Sequence, residues 1–213
     1  MKNRNNRKAH VSYNTGKNNE WYTPEYFIEA ARKTMGSIDL DPASSDIANK
    51  TVKASTYYTK DDNGLIKPWF GNIWLNPPYS RDLIREFGSA VKEKRTEYNQ
   101  AIILVNNATE TRWFHDLITV VTAICFVNKR IKFFDINGKP GHPLQGQVIL
   151  YVGSNPSKFM ENFSQFGKCR ITREPKPESN TVSESYIDNV REQIHSAIKN
   201  KGYYPLGNGN YKM

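Results

Sequence analysis

The sequence predicts an α/β domain: a mostly parallel sheet covered by helices on both faces, with an antiparallel hairpin strand near its end. Three observations carry this. The runs 101–105 (AIILV) and 123–127 (AICFV) are continuously apolar, the pattern of strands buried on both faces. Amphipathic stretches of helical period alternate with them. Asn137-Gly138, set between two β-prone runs, is a hairpin signal.

The elements follow in order. Residues 1–19 are polar, Asn-rich and cationic, as in a flexible arm. Thr23 is expected to cap a helix with Pro24 at its first position. That helix runs to about Met35 and stops at Gly36. Residues 37–41 and 72–75 read as strands, the second ending on Asn76-Pro77-Pro78-Tyr79. Ser80 opens a helix to about Lys94. After the 101–105 strand come a helix over 110–121 and the 123–127 strand. Residues 130–134 and 147–152 read as the arms of the hairpin. A helix over 156–166 and a strand over 168–172 complete the domain. Residues 174–183 are rich in Pro, Ser and Glu and read as a linker. Tyr186, Ile187, Val190, Ile194 and Ile198 predict a helix over 184–200, and residues 202–213 read as a frayed tail. The expected organisation is a basic arm (1–19), one domain (20–173) and a linker, helix and polar tail (174–213). No internal repeat is present.

The charge is uneven. The net charge is +9, of which residues 1–19 hold +5 without an acid (Lys2, Arg4, Arg7, Lys8, Lys17). Residues 20–167 hold +1 and the remainder +3. The ends therefore suit a polyanion, while the middle has no such bias. The arm reads either as a DNA-tracking segment or as a solubilising tail. No run of about 18 apolar residues predicts a membrane span, and the Asn- and Arg-rich start is not a secretory signal. Cys125 and Cys169 make no disulfide framework and read as thiols in a reducing compartment. His10, His115, His142 and His195 lack metal-ligand spacing, so no metal is expected.

Asn76-Pro77-Pro78-Tyr79 at a strand end carries the chemistry. Two prolines fix φ and donate nothing, leaving a rigid, acceptor-rich corner. Such a corner suits an exocyclic amino group. The lone pair of an adenine N6 amine is delocalised into the ring. The Asn76 side-chain oxygen can accept one N–H and the Pro77 carbonyl the other, which favours a tetrahedral, more nucleophilic nitrogen. Tyr79 can stack on the base, worth about 1–3 kcal/mol. A neutral Asn is adequate, because positioning and electrostatics supply the rate.

Taken with its neighbours, this motif resembles the phage-type DNA N-6-adenine methyltransferases. The matching segments are Glu20-Trp21-Tyr22-Thr23-Pro24, Asp39-Leu40-Asp41-Pro42-Ala43-Ser44, Asp61-Asp62-Asn63-Gly64-Leu65 leading to Trp69, Trp74 to Ser80, and Arg130-Ile131-Lys132-Phe133 followed by Gly146-Gln147. They stand in the family's order over residues 20–153. The resemblance implies a Rossmann-like S-adenosylmethionine-dependent fold and S-adenosyl-L-methionine as cofactor. Tyr22, Thr23 and Pro24 look like the family's cofactor-contacting segment. Asp39, Asp41, Pro42 and Ala43 look like the first-strand motif near the methionine moiety. Asp62 looks like an acid at the cofactor's adenine, or is a solvated turn acid. Phe133 either helps hold a flipped base or packs in the core. Lys129, Arg130 and Lys132 either face the duplex or end a solvated strand. His115 reads as a partly buried structural residue or a phosphate contact. The chain departs from the wider methyltransferase pattern in having no Gly-x-Gly after its first strand. Asp41 and Asn76 lie only 35 positions apart, compressing the second and third strands.

The expected activity is methylation of adenine N6 in double-stranded DNA by direct transfer to a flipped-out base. The alternatives are the same chemistry on an RNA base, cytosine N4 or a protein glutamine, or a decayed DNA-binding protein. The expected setting is the cytoplasm of a bacterial or phage-infected cell, away from any membrane. With about 130 residues in the catalytic fold, sequence specificity falls to loops, arms or a second copy of the chain, as in a homodimer.

Overall fold

The structure is a computed structural model that describes residues 21–141 and 145–173, with the backbone of 204–206 and 210–212. The chain divides into two compact units, Met1–Glu174 and Pro175–Met213. In the second, Tyr204–Leu206 and Asn210–Lys212 pair as antiparallel strands where the sequence suggests a frayed tail. The arm with Lys2, Arg4, Arg7, Lys8 and Lys17, and the expected linker and helix of 174–200, lie outside the described residues.

The first unit opens with α1, Glu25–Met35, which buries Phe27, Ile28, Ala31 and Met35 along one face and ends at Gly36 (φ 91°). It begins one residue later than expected. Pro24 is the N-cap, with ψ 134°, and Thr23 stands outside the helix. β1 (Leu40–Asp41), α2 (Asp46–Val52) and β2 (Thr56–Tyr57) follow. Ser45 caps α2 by accepting the Ala48 N–H at 3.2 Å. Then come β3 (Asn72–Leu75), α3 (Arg81–Glu93), β4 (Gln100–Asn106), α4 (Arg112–Ile118) and β5 (Ala123–Val127). β6 (Gln147–Val152), α5 (Pro156–Phe163) and β7 (Gly167–Ile171) complete it.

The seven strands form one sheet in the order β2-β1-β3-β4-β6-β5-β7. β2, β1, β3 and β4 are mutually parallel, and β6 opposes β4 and β5, while β7 opposes β5. The antiparallel part is thus larger than a single hairpin strand. Residues 130–133 are not a strand, because β6 takes its partners from β4 and β5 instead. The Asn137-Gly138 turn does form, with Gly138 at φ 75°. It closes locally: Asp135 N donates to Lys139 O and Gly138 N to Asp135 O, both at 2.9 Å.

Side chains alternate across the strands and fill two cores. Trp74, Ile102, Leu104, Cys125, Ile149 and Tyr151 meet α1 and α5 on one face. Ile73, Leu75, Ile103, Val105, Val148 and Leu150 meet α3 and α4 on the other. Each large side chain buried this way contributes about 1.5–3 kcal/mol. Cys125 and Cys169 are free, buried and opposite one another between β5 and β7. Among the described residues no helix is long and apolar enough to cross a membrane.

The strand order sets the place of the site. From β1 the chain moves outward to β2, then returns to the other side of β1 for β3. The loops leaving β1 and β3 therefore diverge, and a crevice opens beyond their carboxyl ends. In open α/β sheets this switch point is where ligands bind.

Candidate active site

The crevice is a cavity of about 1150 Å³, lined by Asp41, Pro42 and Ala43 after β1 and by Asn76, Pro77, Pro78 and Tyr79 after β3. One small molecule typically needs about 300–1,000 Å³, so there is room for a ligand and part of a second. Trp21, Tyr22, Thr23, Trp74, Ile131 and Phe133 add largely apolar wall.

Asp41 is 2% exposed. Its Oδ1 accepts the Ala43 N–H at 3.2 Å. Burial raises its pKa to about 7, against the opposing pull of Ala43 and Ser44. The Ser44 hydroxyl lies near enough to favour the carboxylate, but is buried with no hydrogen-bond partner. An acid and a hydroxyl are therefore desolvated at the cavity wall without full partners. No ion pair to Asp41 is found among the described residues.

Asn76 is held at both ends of its amide. Nδ2 donates to Thr23 Oγ1 at 3.2 Å, and Oδ1 accepts from the Tyr79 hydroxyl at 2.9 Å. The Tyr79 hydroxyl has a second acceptor, Leu104 O on β4, at 3.3 Å. The Tyr79 residue is 38% exposed while its hydroxyl points inward, and burial pushes that hydroxyl well above its ordinary pKa. Phe133 meets Tyr79 edge-on, with ring centroids 6.5 Å apart. Pairs of this geometry leave ring faces available to a third planar group.

The loop of residues 59–65 closes the far wall. Gly64 is required there, because a Cβ would run into the Pro42 carbonyl oxygen. Trp69 Nε1 pins the same residue by donating to Gly64 O at 2.8 Å. Thr59, Lys60, Asn63 and Leu65 consequently line the cavity, and Lys60 is the one Lys or Arg among its described lining residues.

Three residues grouped with the cofactor set by sequence stand elsewhere. Asp39 is at the amino end of β1, where Oδ2 accepts the Asn72 N–H at 2.8 Å under Gly71 (φ 63°). Asp62 is exposed, and its Oδ2 accepts from the Thr59 N–H and hydroxyl at 2.9 and 2.8 Å. These bonds hold it below the ordinary carboxylate range and shape the loop that presents Asn63. Pro24 caps α1 and is not a lining residue. Arg130 and Lys132 are exposed on an irregular segment rather than on a strand face. His115 is exposed too, its Nε2 lying 2.7 Å from Thr109 O. No cluster of three or more metal-binding side chains occurs among the described residues.

Several lining residues have no role assigned to them by the sequence. Asn106 ends β4, the apolar run whose carboxyl end the switch-point rule already marks. Gln147 donates to Asn106 Oδ1 at 3.2 Å, and its Oε1 accepts the Ile131 N–H at 3.4 Å. No local pattern announces Thr59 and Lys60, whereas Asn63 stands in the Asp61–Leu65 segment of the family resemblance without a role assigned to it.

Sheet, crevice and buried polar pair define the class: an α/β ligand-binding domain with its site at the topological switch point. Residues 11–155 match the sequence model of the DNA N-6-adenine-methyltransferase (Dam) family. A DNA N-6-adenine-methyltransferase of Escherichia phage T1 is 36% identical over 184 residues, 85% of this chain and 72% of that protein. The chain belongs to the DNA N-6-adenine-methyltransferase family, the adenine-specific methyltransferases of DNA.

Proposed function

We propose that this chain methylates adenine N6 in double-stranded DNA, in a Rossmann-like fold, on a base flipped into the corner formed by Asn76, Pro77, Pro78 and Tyr79. The observation that carries the reading is the amide of Asn76, gripped on both sides and facing one cavity with the buried Asp41.

The site suits S-adenosyl-L-methionine. Asp41 is a desolvated acid without a cationic partner among the described residues, as an ammonium group would require. Ser44 offers an unused hydroxyl beside it. Tyr22, Pro42 and Ala43 supply the surrounding wall, with Lys60 the nearby cation for a carboxylate. When bound, this cofactor supplies an electrophilic methyl group on a sulfonium centre.

The chain's own residues would then act on the base. Asn76 Oδ1 keeps a second lone pair for one N6–H, and Pro77 O can accept the other. Both bonds draw the amine away from planarity and raise its nucleophilicity. Tyr79 can offer its face to the ring, a contact worth about 1–3 kcal/mol, with Phe133 edge-on to Tyr79 beside it. The proton that the methylated nitrogen sheds would pass to solvent water, because the Asn76 amide and the Pro77 carbonyl accept hydrogen bonds without acting as bases. The exposed Arg130 and Lys132, with the basic arm of residues 1–19, are assigned to phosphate contacts. Residues 20–173 form the catalytic domain in this reading, and the cytoplasm, where DNA lies, is its setting.

The decisive assay offers DNA, RNA and protein side by side with the cofactor and identifies methylated products by mass spectrometry. N6-methyladenine in DNA is expected; its absence, with cofactor binding verified, would refute the reading. Removing residues 1–19 should weaken DNA binding and flatten its salt dependence. An unchanged salt slope would return the arm to a solubilising role.

A further inference from the structure

The geometry points to Thr23 as the residue that positions the Asn76 amide, and we propose that this is its role in catalysis. The inference rests on the N6-methylation reading of the same corner.

Thr23 is freed for this task by the start of α1. Its residue type suggests a helix cap, yet Pro24 holds the cap position and α1 has no side-chain cap bond. The first turn closes through the backbone instead, Phe27 N donating to Pro24 O at 3.1 Å. The Thr23 hydroxyl reaches across 53 positions of sequence to Asn76. It is placed firmly. Tyr22 exchanges two backbone bonds with Phe134, at 2.8 and 3.0 Å, on one side of Thr23, and α1 begins on the other. Thr23 is 8% exposed, so little water competes for its hydroxyl.

The amide needs such a tether because its task depends on which atom faces the amine. Oxygen accepts from N6; nitrogen would oppose it donor to donor. With Nδ2 on Thr23, Oδ1 takes the 2.9 Å bond from Tyr79. The reversed amide would leave the Tyr79 proton only the longer contact to Leu104. The same pair of acceptors explains how a base can arrive without loss. As an N6–H approaches Oδ1, the Tyr79 proton can turn to Leu104 O, while the Nδ2 bond to Thr23 holds the amide in place. Tyr79 is thus the movable partner and Thr23 the fixed one.

Thr23→Val keeps the shape and removes the acceptor; Thr23→Ser restores it. The single-turnover methylation rate at saturating cofactor should fall at least about 10-fold in Thr23→Val, since small misplacements of a catalytic group cost up to about 100-fold. Cofactor Kd by calorimetry should stay within about twofold, and Thr23→Ser should recover most of the rate. A Thr23→Val rate within about twofold of wild type overturns the proposal, as does a loss of cofactor affinity that accounts for the whole effect. A second measurement needs no turnover. The Asn76 side-chain amide pair, assigned by its disappearance in Asn76→Ala, should shift in the NMR spectrum of Thr23→Val and return in Thr23→Ser. An unmoved pair refutes the tether even if the protein methylates some other substrate. Absence of N6-methyladenine with a shifted pair refutes the methylation reading instead.

Discussion

The two ends of the seam between β1 and β3 use the same residue types to opposite purposes. At the amino end, Asp39 accepts the Asn72 N–H, and Asn72 Nδ2 donates to Ser37 Oγ and Met35 O at 2.8 and 3.2 Å. Gln100 Nε2 donates to Asn72 Oδ1 at 3.0 Å, and the Tyr151 hydroxyl to Gln100 Oε1 at 2.8 Å. The network closes on itself. At the carboxyl end stand a buried acid, an unpartnered hydroxyl and an amide with acceptor capacity to spare. Saturated polar groups hold the sheet together, while unsaturated ones wait for a ligand.

Two asparagines on the β3 segment test this most sharply. Asn76→Ala is expected to lower turnover by about 100-fold or more, the usual loss for a preorganised group at the reacting atom. Cofactor affinity should barely move, and the loss of stability should stay below that of Asn72→Ala, whose amide has more partners. Asn72→Ala should do the reverse, costing about 1–3 kcal/mol of stability by stranding its former partners. Its turnover per folded molecule should be unchanged. Urea unfolding and single-turnover rates on both variants decide. Equal loss of activity in the two would erase the distinction between the ends.

The aspartates on β1 give the next largest contrast. Asp41→Asn should weaken cofactor binding at least about 10-fold, since charge-assisted bonds are worth about 1.5–3 kcal/mol. It should also stabilise the ligand-free protein above pH 7, where the native carboxylate is otherwise ionised in a buried place. Asp39→Asn should leave cofactor affinity alone and cost about 0.5–1.5 kcal/mol, because its bond to Asn72 loses the charge. Calorimetric affinity and unfolding free energy should therefore respond in crossed fashion. If Asp39→Asn also weakened the cofactor, the seam's amino end would belong to the site.

Much of this arrangement is legible in the sequence where a local rule has no competitor. Gly36 ends α1 as expected, and the apolar runs become β4 and β5. Asn76 comes directly after β3, as the strand-end reading requires. Where two rules compete, tertiary pairing decides. Residues 130–134 alternate like a strand, but β6 occupies the places beside β4 and β5, so the alternation survives only as a buried Ile131 between exposed neighbours. Asp39 and Asp41 differ by one strand repeat and share a face. Which of them reaches the crevice depends on where pairing stops, and no residue type records that. The Asp61-Asp62-Asn63-Gly64 stretch shows a turn but not its orientation. The close approach of Gly64 to Pro42, together with the Thr59–Asp62 bonds, sets Asn63 inward and Asp62 outside.

The most gradual effect is a pH dependence, and its sign is specific. Native Asp41 keeps its proton to about pH 7, whereas an unfolded Asp releases it near its ordinary pKa of 3.8. Between those values the native state binds more protons than the unfolded one. This group's contribution to stability is therefore full below about pH 4 and is lost as pH rises through 7. The loss amounts to a few kcal/mol at most, about 1.4 per pH unit. Binding an ammonium group needs the carboxylate, so below pH 7 it must expel the proton. Cofactor affinity should fall toward pH 6 by no more than about tenfold per unit. It should fall again above about 8, where an α-amino group loses its own charge. Calorimetry in two buffers of different ionisation enthalpy would read one proton released near pH 6 and almost none near 7.5. In Asp41→Asn the acidic limb should vanish while the alkaline limb remains. An acidic limb that survived this substitution would assign the proton to another group and leave Asp41 no different from Asp39.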